Sequence, residues 1–184
     1  MNIFATSMCP YESAYNLCDK HLYSQAKEGV QMLVSGLLIN GYDPRDMPIA
    51  KTTGRPHKGG YRNHPATRWT AESPQNWMWL WNHTMEMCHI IKDRFGTVHA
   101  SRDQLISLMK TFRANKNYAD WPEWKRTPFA VCVNQSKGEN LDLLEMEPTA
   151  AYRIFYHRDK AGFATWSNGR LPPTWWGDER YATA

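Results

Sequence analysis

A chain of 184 residues with a formal charge of +4 is long enough to bury a core without disulfide or metal staples, and its mild basicity favours a polyanionic partner. No apolar run approaches the roughly 18 residues of a membrane span, and the amino terminus lacks the charged-then-apolar order of a secretion signal. Cys9, Cys18, Cys88 and Cys132 show neither metal nor disulfide spacing, and Walker A, GxGxxG, HExxH and GxSxG motifs are absent, which excludes the usual devices of triphosphate hydrolysis, dinucleotide redox chemistry and zinc hydrolysis.

Residues 2–10 are apolar and too short for a helix of their own, so they are expected to lie extended against the first helix. That helix is read over 11–38: Tyr11, Ala14, Leu17, Cys18, Leu22, Ala26, Val30, Leu33 and Leu37 recur at helical steps. Pro10 suits its first turn, and Asn40-Gly41 suits its end, because both residues tolerate the left-handed conformation. His21, Gln25 and Glu28 fall on one side of it. Two readings of that side stand: an imidazole and a carboxylate lining a cleft, or a packing His beside a solvated Glu.

Residues 40–68 form a long connection rich in Gly, Pro, Lys and Arg. Arg45, Lys51, Arg55, His57, Lys58, Arg62 and Arg68 make it a basic arm suited to phosphates, with Gly59-Gly60 allowing close backbone approach; a merely solvated loop is the alternative. His64-Pro65 is expected to end the arm and enter a helix. A second strong helix is predicted over 74–95, with Ser73 as cap, Pro74 in the first turn and Gly96 as stop. Trp77, Leu80, Trp81, Thr84, Met87, Cys88 and Ile91 share its core face, while Trp79, His83 and Glu86 turn toward the first helix or a groove. A shorter helix follows over 102–112, capped by Ser101 and burying Leu105, Ile106, Leu108, Met109 and Phe112. Residues 113–140 are broken by Trp121-Pro122 and Thr127-Pro128 and read as irregular. Pro148 opens a last helix, 149–165, burying Ala150, Ile154, Phe155, Ala161 and Phe163. The fold class is all-α: one compact domain over 1–184, of three to four main helices with long basic and aromatic loops.

The run Asp19-Lys20-His21-Leu22-Tyr23-Ser24-Gln25-Ala26-Lys27-Glu28 resembles the first helix of the phage pyrimidine-dimer DNA glycosylases, the endonuclease V family, in which an Asp-x-His-Leu segment precedes a basic residue and the catalytic glutamate. The opening Asn2-Ile3-Phe4, the helix after His64, and the tail Pro173-Thr174-Trp175-Trp176 with Tyr181 near the end are similar in the same order. The resemblance implies a DNA glycosylase, with or without abasic-site lyase activity, acting on a damaged pyrimidine in DNA without cofactor or metal, in the cytoplasm (the host's, if phage-encoded). It implies Glu28 as the catalytic carboxylate, His21 and Lys27 as groups that orient the sugar-phosphate, and the amino-terminal amine, at Met1 or Asn2, as the nucleophile. An α-amine titrates near pH 8, so a useful fraction is neutral at pH 7. Candidate DNA contacts are Lys20, Lys27, Arg55, Lys58, Arg62, His64 and Arg68. Trp175 and Trp176 either stack on bases or cover a groove between the first two helices.

Residue 2 departs from the pattern: Asn is larger than the small residue that the family exposes after loss of Met, and the segment before the Asp-x-His run is several residues longer. Either the Met1 amine does the chemistry or the lyase step is lost, leaving Glu28 to activate water. Three rivals are carried: a phage enzyme of the same fold acting on a modified base or free nucleotide, a non-catalytic nucleic-acid-binding module, and a host-inhibiting protein that uses its tryptophans as anchors.

Overall fold

The computed structural model describes residues 2–114, 120–134 and 139–178. It is mostly helical: α1 (Pro10–Tyr15), α2 (Asp19–Ile39), α3 (Pro65–Glu72), α4 (Pro74–Phe95), α5 (Ser101–Ala114) and α6 (Pro148–Lys160), with one antiparallel hairpin of two-residue strands, β1 (Ile49–Ala50) and β2 (Arg55–Pro56). The longer helices α2, α4, α5 and α6 are the main ones expected from sequence. No helix among the described residues is long and apolar enough to cross a membrane.

α4 forms as its signals dictate. The Ser73 hydroxyl accepts from the Asn76 amide, Pro74 occupies the first turn, and Gly96 closes the end at φ +69°. α4 crosses α2 closely, with Gly29 against Thr84: a Cβ at Gly29 would collide with the Thr84 side chain. The Trp77 indole donates to the Leu33 carbonyl (3.0 Å), and its ring stacks on Phe112 of α5 at 4.4 Å. α3 covers the other flank of α2, entered through His64 and Pro65 as the sequence implies. Trp69, Trp79, His83 and Phe129 form a second aromatic layer, so the α4 tryptophans pack the core.

The first predicted helix is broken in two. At Asn16–Cys18 the buried Arg170 guanidinium donates to the Tyr15 (2.7 Å) and Leu17 (2.5 Å) carbonyls. The Cys18 amide meets the Tyr156 hydroxyl instead of a helical carbonyl, and the Asp19 amide donates to Thr165 O. Partners from the carboxyl-terminal segment thus end α1 and restart the chain as α2. The last helix stops at Lys160, earlier than expected, and Ala161 and Phe163 are exposed; Ile106 faces outward as well. The 40–68 connection is not structureless. It holds a 3-10 turn, the hairpin and the start of α3, and it docks on α2 through the Ser35 hydroxyl, which bonds both Gly60 N and Gly60 O. Gly59, at φ +73°, lies so close that a Cβ would sit 3.0 Å from the Ser35 amide nitrogen. The glycine pair therefore serves an approach of the arm to α2.

Candidate active site

The extended segment from Asn2 to Thr6 is buried, and four elements hold it. Ser13 and Asn16 bond Phe4 and Thr6. His83 of α4 faces the Ile3 carbonyl, and Arg153 of α6 donates to Thr6 O. The Asn2 side-chain amide donates to the Cys132 carbonyl, while its Oδ1 accepts from the Ile3 (2.8 Å) and Phe4 (3.4 Å) amides. Asn2 thus stitches the amino terminus to residues 131–133, and the turn it caps puts Phe4 at φ +50°. The tethering leaves the backbone nitrogen of Asn2 donating to Glu28 Oε2 at 3.2 Å.

The same carboxylate oxygen accepts from Gln25 Nε2, also at 3.2 Å. Glu28 and Gln25 stand one turn apart on α2, beside a cavity of about 430 Å³ lined by Asn2, Phe4, Gln25, His64, Val133 and Lys160. His64 caps α3: its Nδ1 accepts from the Ala66 amide (3.2 Å), so the neutral ring carries its proton on Nε2. Burial lowers the His64 pKa, with the Glu28 carboxylate acting in the opposite sense. Two donors converging on one carboxylate oxygen, with an imidazole and an ammonium lining the same cavity, can bind an anionic sugar-phosphate and move protons within it.

His21 is not on this wall. Its ring stacks on Phe4 at 4.7 Å, meets Phe163 edge-on, and takes the Tyr156 hydroxyl at Nδ1 (2.6 Å). Tyr156 accepts from the Cys18 amide, so its own proton goes to His21, whose pKa falls to about 4 because of burial and then the Lys160 and Lys20 charges. His21 is a packing group that braces Phe4, whereas Glu28 is not the solvated carboxylate of the second sequence reading, since it accepts from Asn2 and Gln25. Met1 lies outside the described residues, as does Tyr181.

The basic candidates sit in several places. Lys20 is exposed, its ammonium 4.5 Å over the Phe163 ring. Lys27 is exposed on the far side of α2, on a separate cavity of about 260 Å³ shared with Lys51, His57 and His99. Arg55, Lys58, Arg62 and Arg68 are exposed on the docked arm and α3. Trp175 is buried against Tyr156 and His157, and Trp176 stacks on His157 at 4.4 Å, so this pair covers α6. Lys160 and Arg170 are the residues that sequence reasoning missed. A Lys in the last turn of a helix looks like dipole compensation, and nothing local marks Arg170.

Residues 1–103 match the sequence model of a family described as pyrimidine dimer DNA glycosylase. Asn2, Gln25, Glu28 and His64 fall inside the match, and Lys160 outside it. No curated protein and no solved structure matches the chain.

Proposed function

The chain belongs to the pyrimidine dimer DNA glycosylase family, and from that membership we propose that it cleaves the glycosidic bond of a damaged pyrimidine in DNA at the cavity beside Asn2 and Glu28. The observation that carries this reading is the 3.2 Å contact between the amino-terminal backbone nitrogen of Asn2 and Glu28 Oε2, in a segment that four elements hold in place. A nucleophile at the amino terminus thereby acquires a base within hydrogen-bond reach.

In the proposed reaction a neutral α-amine attacks C1′. The N–C1′ bond forms as the glycosidic bond breaks, the electron pair leaves with the base, and the amine proton passes to Glu28 and through water to the departing base. Glu28 stabilises the cationic sugar; the C1′–O4′ bond then opens, O4′ takes a proton and the nitrogen lone pair closes the C1′=N imine, from which Glu28 removes a C2′ proton so that the C3′–O bond breaks and the 3′ phosphate leaves. Lys27, Arg55, Lys58, Arg62 and Arg68 neutralise backbone phosphates, and His64 and Lys160 hold the sugar-phosphate at the cavity. The bulk of Asn2, after which an initiator Met is poorly removed, supports a second reading in which Glu28 activates water and no imine forms.

Borohydride trapping on duplexes carrying a cyclobutane pyrimidine dimer or an abasic site separates them. The lyase reading expects a covalent adduct that maps to the amino terminus, and loss of base release by about a hundredfold or more in Glu28→Gln with DNA affinity retained. Base release with no adduct selects the water mechanism. An absence of both on either duplex would overturn the glycosylase proposal.

A further inference from the structure

Gln25 is 94% buried (6% exposed), lines the cavity, and donates through Nε2 to the carboxylate oxygen that also takes the Asn2 nitrogen. The orientation of its amide is fixed by that contact, since an ionised carboxylate accepts only and must face the NH₂ end. Its Oε1 is buried and finds no hydrogen-bond partner among the described residues. A buried acceptor left unpaired is costly, so its retention on a cavity wall points to a donor that arrives with the reaction.

The donor must reach a point beside Glu28 Oε2. Phosphates and the ring oxygen of deoxyribose offer only acceptors, whereas a nucleophile, amine or water, brings two hydrogens and at least one lone pair. We propose that Gln25 is a catalytic residue that orients the nucleophile: Oε1 accepts one of its hydrogens, Glu28 Oε2 accepts the other, and a lone pair is left facing C1′. The hydrogen on Glu28 is the one transferred as the new bond to C1′ forms and the glycosidic pair leaves with the base. The hydrogen on Gln25 stays, and the amide changes neither charge nor protonation. An amide suits this role better than a second carboxylate would, because like charges in contact raise one another's pKa and would take the nucleophile's proton too early or hold one themselves. The assignment rests on the glycosylase reading and holds for either source of the nucleophile.

Two variants test it. Gln25→Met keeps the length and removes the acceptor; Gln25→Glu restores an acceptor but not the donor to Glu28. Base release from dimer-containing duplex is expected to fall about a hundredfold in kcat for Gln25→Met, with KM and melting temperature near wild type. Gln25→Glu should recover part of that loss, increasingly at higher pH, as the paired carboxylates ionise. Trapping on an abasic duplex then tells amine from water, the amine giving an adduct that Gln25→Met diminishes. A Gln25→Met protein with wild-type kcat, or a Gln25→Glu protein no better than it at any pH, overturns the role of Gln25 while leaving the glycosylase intact. A wild-type protein that releases no base overturns the glycosylase reading itself.

Discussion

At the scale of single residues, the buried imidazoles set how the protein responds to acid. His83 is fully buried, with Pro10 O and Ile3 O at its two ring nitrogens; burial outweighs those two carbonyls, which favour the charged ring, and brings its pKa to about 4. His21 is brought to about 4 by burial and the neighbouring lysines. The unfolded chain takes up these protons near the ordinary value of 6.5 and the folded chain only near 4, so stability is full above that window and is lost as pH falls through it. Each ring contributes roughly 3 kcal/mol across that interval. We expect the melting temperature to fall steadily between pH 6.5 and 4.5, while NMR titration shows both rings still neutral at pH 5.5. A flat melting temperature over that range would contradict the neutral assignment. From sequence, the helix alone favours a packing His21 over a cleft group, the family resemblance argues the other way, and the spacing to Glu28 cannot decide. In the fold, Phe4 and Tyr156 stack on it and bond it from opposite ends of the chain.

At the scale of elements, the start of α2 depends on one buried ion pair. Arg170, its side chain wholly inaccessible, meets Asp19 Oδ1 at 2.7 Å and bonds two carbonyls of the α1–α2 turn. Asp19 Oδ2 accepts in addition from the Ser167 amide, so the first residue of α2 clamps the carboxyl-terminal segment to the helix that carries Gln25 and Glu28. Arg170→Met would leave a carboxylate and two carbonyls without their cation. Loss of one partner of such a pair costs about 3–5 kcal/mol. Denaturant unfolding should show a loss of that size, with Asp19→Asn, Arg170→Met together less damaging than the sum of the two changes. Elements whose start and stop are written locally were legible: α4 carries its Ser cap, its Pro and its terminal Gly within its own sequence. The break at Asn16–Cys18 was not, because periodicity runs straight through it. The groups that impose it, Tyr156, Thr165 and Arg170, lie about 140 residues or more away in the chain.

At the scale of the whole molecule, the candidate site joins segments that sequence order keeps apart. One wall comes from Asn2 and Phe4, another from Gln25 on α2, a third from His64, and the last from Val133 and Lys160. The family match covers the first three and not the last. Spacing and composition made the helix that carries Gln25 and Glu28 and the basic arm legible, since both are local, but they could not say that residues 131–133 close the cavity, a contact made by Asn2 across the length of the chain. The arm itself is docked on α2 at Ser35, two turns beyond Glu28. Arg55, Lys58 and Arg62 are exposed and lie outside the cavity lining, so they should contribute to DNA affinity and leave the chemical step alone. Removing a cation that neutralises one phosphate lowers the slope of log K against log salt by about 0.9 in duplex DNA. The triple change Arg55→Ala, Lys58→Ala, Arg62→Ala should therefore flatten that slope by roughly two to three and weaken binding most at low salt, with turnover at saturating DNA unchanged. If turnover falls with the affinity, the arm also positions the scissile nucleotide; if the slope does not move, the duplex lies along Lys20 and α6 instead.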